Sequence, residues 1–128
     1  IVRTANAFGV RTIHVSGRRQ WNKRGAMMTD KYLRVLYYAS VSEFSSAMRQ
    51  RKKAVYALEN NVSSKSVYDV TLPENLVWVF GQEGPGVSQE LLAVCENVVH
   101  IPQLGSTRSM NVGVAAGIAM FEWSRQNG

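Results

Sequence analysis

The 128-residue chain is long enough for one compact domain, and its 45% hydrophobic content excludes the disordered class. Cys95 is the sole cysteine, which excludes an internal disulfide and points to a reducing, cytoplasmic setting. The net charge of +6 is uneven, with eight Lys or Arg against Asp30 alone up to Arg34 and seven bases against eight acids in the remainder. A polyanion partner and a solvated basic face account equally well for that asymmetry. The chain opens on Ile1 with Arg3 close behind. No signal-peptide pattern is present, and a processed or truncated chain is expected.

In chain order, Ile1 to Phe8 reads as a helix ended by Gly9, a residue that enters the left-handed region without a Cβ penalty. Val10 to Ser16 alternates apolar and polar residues, as a half-buried strand does. Gly17 to Lys31 has no period and reads as a long basic loop around Trp21. A strand at Arg34 to Tyr38 follows, then an amphipathic helix from Val41 to about Gln50, a strand at Ala54 to Leu58 and a polar turn region from Asn60 to Ser66. Leu76 to Phe80 is a continuous apolar run, the form of a strand buried on both faces and expected to be the most buried of the set. A glycine-rich loop from Gly81 to Gly86 leads into a short helix capped by Ser88 with Glu90 in its first turn. Val98 to Ile101 is a strand stopped by Pro102, and a last helix runs from about Ser109 to Arg125. The uncharged stretch from Ser109 to Phe121 is shorter than the roughly 20 residues of a bilayer span. Strands separated by helices imply an open, mostly parallel α/β sheet with helices on both faces, and ligands of such sheets bind outside the carboxyl ends of the strands.

Two loops stand where a ligand site belongs. Gly81-Gln82-Glu83-Gly84-Pro85-Gly86 is neither a P-loop, since no Lys-Ser/Thr follows, nor the dinucleotide fingerprint, whose glycine order differs. Glu83 would repel a phosphate, so an unphosphorylated cofactor fits better than a Rossmann-type nucleotide. A plain strand-to-helix turn is the competing reading. The second loop, Ile101 to Asn111, joins a strand end to a helix start. Ser109 and Asn111 fall in the first helical turn, where capping alone explains such residues. Gly113, Ala116, Gly117 and Ala119 make a small-residue face suited to close packing. His14 and His100 lie on strands without a ligand set, and Cys95 reads as a small apolar residue. Trp21, among Arg18, Arg19, Lys23 and Arg24, either stacks on an unpaired base or is partly buried.

Taken together, three segments resemble the motifs of the SpoU (TrmH-like) family of SPOUT RNA 2'-O-ribose methyltransferases. Ile1 to Val10 resembles the end of the first motif, Leu76 to Ser88 (LVWVFGQEGPGVS) the second, and Ile101 to Ala116 (IPQLGSTRSMNVGVAA) the third. The resemblance implies one catalytic domain over residues 1–128, lacking a first strand. Its open sheet would end in a deep C-terminal trefoil knot that forms the S-adenosyl-L-methionine pocket of a homodimer. It implies Arg3, Glu83, Ser109 and Asn111 as catalytic. Gly81, Glu83, Gly84, Ile101, Leu104, Ser109, Met110 and Asn111 would bind the cofactor, with no metal. The expected substrate is tRNA or rRNA, met by the basic residues Arg11, Arg18, Arg19, Lys23 and Arg24 together with Trp21. The alternative is a non-catalytic RNA-binding module that keeps the same fold.

Overall fold

The computed structural model describes residues 2–16, 34–61, 63–81, 85–105 and 110–128. The chain forms two compact units, Ile1–Arg51 and Lys52–Gly128.

In the first unit, helix α1 (Val2–Ala7) buries Ala5 and ends at Gly9, whose φ of +76° is the left-handed stop expected there. Strands β1 (Thr12–Ser16) and β2 (Arg34–Tyr38) pair in parallel, from Thr12 opposite Arg34 to Ser16 opposite Tyr38. The long basic loop between them lies outside the described residues. Helix α2 (Val41–Gln50) begins where the sequence places it, because Ser40 Oγ accepts the Glu43 N–H at 3.2 Å and Glu43 Oε2 accepts that of Ala39 at 3.1 Å. Its buried residues, Phe44 and Met48, are one turn apart. His14 has a structural role: Nδ1 is 2.8 Å from the Tyr38 hydroxyl, and both rings pack on Phe44.

The second unit is built on strands β3 (Ala54–Leu58), β4 (Lys65–Ser66), β5 (Leu76–Val79) and β6 (Asn97–His100), in the spatial order β4-β6-β3-β5 and parallel throughout. The most buried strand is β3, in which Ala54 to Ala57 are all buried. In β5 only Val79 is buried, and among the described residues this strand stands at the end of the order, paired with β3 alone. An unbroken apolar run signals covered faces but not position in a sheet, so the expectation for Leu76 to Phe80 is corrected. The 60–66 region contains the expected turn, with Asn61 Oδ1 accepting the Ser63 N–H at 3.0 Å. Its last two residues nonetheless pair with β6, and a 3-10 turn (Val67–Asp69) follows. Ser64 Oγ meets His100 Nδ1 at 2.8 Å, which makes His100 a tie between neighbouring strands.

Helix α3 (Gln89–Ala93) starts at its Ser88 cap, which accepts the Leu91 N–H at 3.2 Å. Beyond it, burial pushes the Cys95 thiol up to about 11, and Sγ–H reaches the Leu91 carbonyl at 3.3 Å. At pH 8 about one molecule in a thousand then carries the thiolate. Alkylation by iodoacetamide at that pH is expected to be slow in the native chain and to reach the rate of a free thiol only on unfolding, as mass spectrometry of timed samples would show.

Helix α4 (Val112–Asn127) begins three residues later than expected, because the Asn111 side chain outside it caps it. Ala116, Ala119 and Met120 are buried, and Trp123 packs on the cluster of Ala54, Tyr56, Val67, Leu72 and Val99. The last turns of the helix also bind the 70–73 segment through its backbone. Trp123 Nε1 donates to Pro73 O at 2.9 Å, Gln126 accepts from Leu72 N at 2.8 Å, and Asn127 donates to Leu72 O at 3.1 Å. Among the described residues no helix is long and apolar enough to cross a membrane.

Candidate functional site

A parallel sheet brings the carboxyl ends of its strands to one edge. In the order β4-β6-β3-β5, the end of β3 lies between those of β6 and β5. Glu59 follows β3, Phe80 and Gly81 follow β5, and Ile101 follows β6. The glycine loop and the Ile101–Gly105 segment, 20 residues apart in sequence, therefore flank one strand end. Glu59 stands at that end.

Gly81 is a glycine for a geometric reason. A Cβ there would overlap the carbonyl group of Gly86 and the nitrogen of Val87, so the loop closes back on its own first residue. Gly86, at the returning limb, has a φ of +73°. Val87, next along, is buried and donates its N–H to Glu59 Oε2 at 2.6 Å. In a phosphate-binding loop the amides before the helix would face the anion. Here the protein's own carboxylate takes the Val87 amide. That amide is thus taken within the protein and is not offered to a ligand.

Across β3, Ile101 to Gly105 carries no regular structure. Ile101, Pro102 and Gln103 are half-buried, whereas Leu104 and Gly105 are exposed. Met110 is half-buried, next to the α4 cap. Asn111 Oδ1 accepts from Gly113 N at 2.8 Å and Val114 N at 3.2 Å, which satisfies two amides that have no partner within the helix. Its carboxamide oxygen is thus committed to fixing the start of α4. Gly113 also belongs to this cap: among the described residues a Cβ there would meet only Asn111 Oδ1, at 3.1 Å. The small-residue face expected on this helix is thereby divided, with Ala116 and Ala119 buried in the core and Gly113 serving the cap.

Of the residues expected from the sequence, the structure brings Gly81 and Ile101 to one sheet edge, places Leu104 in the loop leaving it, and sets Met110 and Asn111 at the head of α4. Arg11 is exposed just before β1. Glu83, Gly84, Ser109, Arg18, Arg19, Trp21, Lys23 and Arg24 lie outside the described residues. Arg3 is in α1, and its side chain also lies outside them. Glu59 is the residue that sequence reasoning missed. The available signal was its place directly after the strand Ala54–Leu58, where site residues of parallel sheets concentrate.

The chain matches the model of the SpoU rRNA Methylase family over residues 1–121. It is 33% identical over 131 residues to a tRNA (guanosine(18)-2'-O)-methyltransferase of Thermus thermophilus, an alignment covering 98% of this chain and 66% of the relative. It is 29% identical over 129 residues to the 23S rRNA (guanosine-2'-O-)-methyltransferase RlmB of Neisseria meningitidis serogroup B, covering 98% of this chain and 52% of the relative. The SpoU methyltransferase AviRb of Streptomyces viridochromogenes, solved in complex with AdoMet, has a TM-score of 0.88 at 23% identity, over 99% of this chain and 54% of that one. That last likeness is one of fold. The chain spans from 52% to 66% of the length of these two curated relatives.

Proposed function

The chain belongs to the SpoU methylase family, and from that premise we propose that it is the catalytic domain of an S-adenosylmethionine-dependent RNA ribose 2'-O-methyltransferase. The observation that carries this reading is the extent of the family match, which covers residues 1–121 and so includes Arg3, the glycine loop and Asn111. Residues 1–128 form one domain in this reading, and their C-terminal part makes the trefoil knot of the SPOUT fold.

S-adenosylmethionine supplies an electrophilic methyl group for in-line displacement, so the protein's contribution is largely one of positioning. Gly81, Glu83, Gly84, Ile101, Leu104 and Met110 hold the cofactor, much of it through backbone groups. Asn111 sets the start of α4, and in this reading Glu83, Ser109 and Asn111 organise the reacting groups. Arg3 acts on the target ribose. A guanidinium is too weak a base to take the hydroxyl proton in an ordinary setting, so Arg3 stabilises the developing alkoxide while the proton passes to solvent water. The basic loop (Arg18, Arg19, Lys23 and Arg24), with Arg11, meets RNA phosphates, and Trp21 meets an exposed base. The relatives act on tRNA in one case and 23S rRNA in the other, so the substrate class is tRNA or rRNA.

The test is incubation of the chain with methyl-labelled S-adenosylmethionine and separated tRNA and rRNA fractions, followed by nucleoside mass spectrometry. Label on ribose 2'-oxygens is the expected result. Label on bases, or binding of RNA without transfer, would overturn the proposal. The second outcome would favour the non-catalytic module.

We also propose a homodimer formed through α4. Its exposed residues Val114 and Phe121 (58% each) and Ile118 (38%) recur at i, i+4 and i+7, half a turn round the helix from the buried Ala116, Ala119 and Met120. Val114→Glu combined with Ile118→Glu is expected to convert the dimer to a monomer in light scattering, with helix content by circular dichroism unchanged. A monomeric wild type at micromolar concentration would refute the dimer.

A further inference from the structure

Glu59 lies outside all three family motifs, one residue past β3, yet its carboxylate is built into the glycine loop. Its main-chain N–H donates to Val99 O in β6 at 2.9 Å, and its side-chain Oε2 accepts from Val87 N at 2.6 Å. One residue thus ties the strand on one side of β3 to the loop leaving the strand on the other. Gly86 is shaped to admit it. Beyond the φ of +73°, a Cβ at residue 86 would come to 2.5 Å from Glu59 Oε2, 3.0 Å from Oε1 and 3.1 Å from Cδ. The missing side chain leaves room for the carboxylate, which then fixes the next amide. Val87 is buried, so its N–H would otherwise be a donor cut off from water, and such groups are costly to leave unpaired. Because the loop closes onto Gly81, the position of Val87 also sets that of Gly81.

Resting on the reading of this loop as the cofactor site, we propose that Glu59 is its positioning residue: a carboxylate at the end of β3 that accepts the Val87 amide, occupies the space over Gly86 and holds the glycine loop in its cofactor-binding shape. Glu59 acts on the cofactor only through the loop. The essential property is an acceptor oxygen at that distance, and a negative charge is secondary to it. Glutamine retains such an oxygen and alanine does not.

The test compares Glu59→Ala and Glu59→Gln with the wild-type chain in three measurements: amide exchange at Val87 in the unliganded protein, calorimetric affinity for S-adenosylhomocysteine, and melting temperature. Expected for Glu59→Ala is at least a tenfold rise in Val87 exchange and at least a tenfold loss of affinity, with β6 amides as protected as in the wild type. Glu59→Gln is expected within threefold of wild type in both. Unchanged exchange and affinity in the alanine variant would overturn the proposal, as would a glutamine variant as impaired as alanine. If Glu59→Ala does not fold, the wild type and Glu59→Gln decide: slow Val87 exchange in both supports the clamp, and fast exchange in either refutes it. Failure of the wild type to bind S-adenosylhomocysteine would count against the cofactor reading, while the exchange measurement would still test the Glu59–Val87 link.

Discussion

Arg3→Ala is expected to lower methyl transfer by roughly 10²–10³-fold, the loss seen when one donor to a developing oxyanion is removed. Affinity for S-adenosylhomocysteine is expected to stay within about twofold, because in the proposed mechanism the guanidinium addresses the ribose and not the cofactor. The local fold should survive the change, since α1 is anchored by Ala5, which is 1% exposed, and by the Val10 N–H donating to Ala5 O at 2.9 Å. Single-turnover transfer and calorimetry on the same preparation separate the two quantities. Wild-type turnover in the variant would remove Arg3 from the mechanism, and a parallel loss of cofactor affinity would move it into the cofactor pocket. Arg3→Lys should recover little, since a point charge does not reproduce the planar fork of the guanidinium.

Gly81→Ala should be the most damaging single-methyl addition to the glycine loop. The atoms a Cβ would strike are the Gly86 carbonyl group and the Val87 nitrogen, and these backbone groups cannot rotate aside as a side chain would. The loop must open, which breaks the Val87–Glu59 hydrogen bond and spoils the surface offered to the cofactor. Overpacking of this kind costs about 1–3 kcal/mol, and the lost buried hydrogen bond adds to it. The expected result is a fall in melting temperature together with a loss of S-adenosylhomocysteine affinity of at least tenfold. Gly105→Ala is the control for stability, since nothing among the described residues lies within 4 Å of the Cβ it would add. Its melting temperature should match the wild type. If Gly81→Ala melts and binds as the wild type does, the close return of the loop onto Gly81 does not matter to either property.

Much of the architecture was legible in the residues because it is governed locally. The bounds of β2, α2 and β3 follow from short apolar runs and from Ser40, and Gly9 and Ser88 mark helix ends through their own backbone and side-chain chemistry. Charge placement, the single cysteine and the three motifs are likewise properties of the chain as written, and the family match agrees with the resemblance they carry. Other features depend on contacts between distant segments. Lys65 and Ser66 are a strand only because β6 lies beside them, and β3 rather than β5 is the buried strand because the sheet order encloses it. Asn111 and Gly113 turned out to be partners in one cap, while the apolar stripe of Val114, Ile118 and Phe121 became apparent once Ala116 and Ala119 were seen to face inward. Glu59 is the clearest case. Its place after a strand marks it only as one candidate among several, and its role comes from a hydrogen bond to a residue 28 positions away. Periodicity and capping report on a residue's neighbours along the chain, whereas pairing order and the ends of parallel strands bring together groups that no local pattern relates.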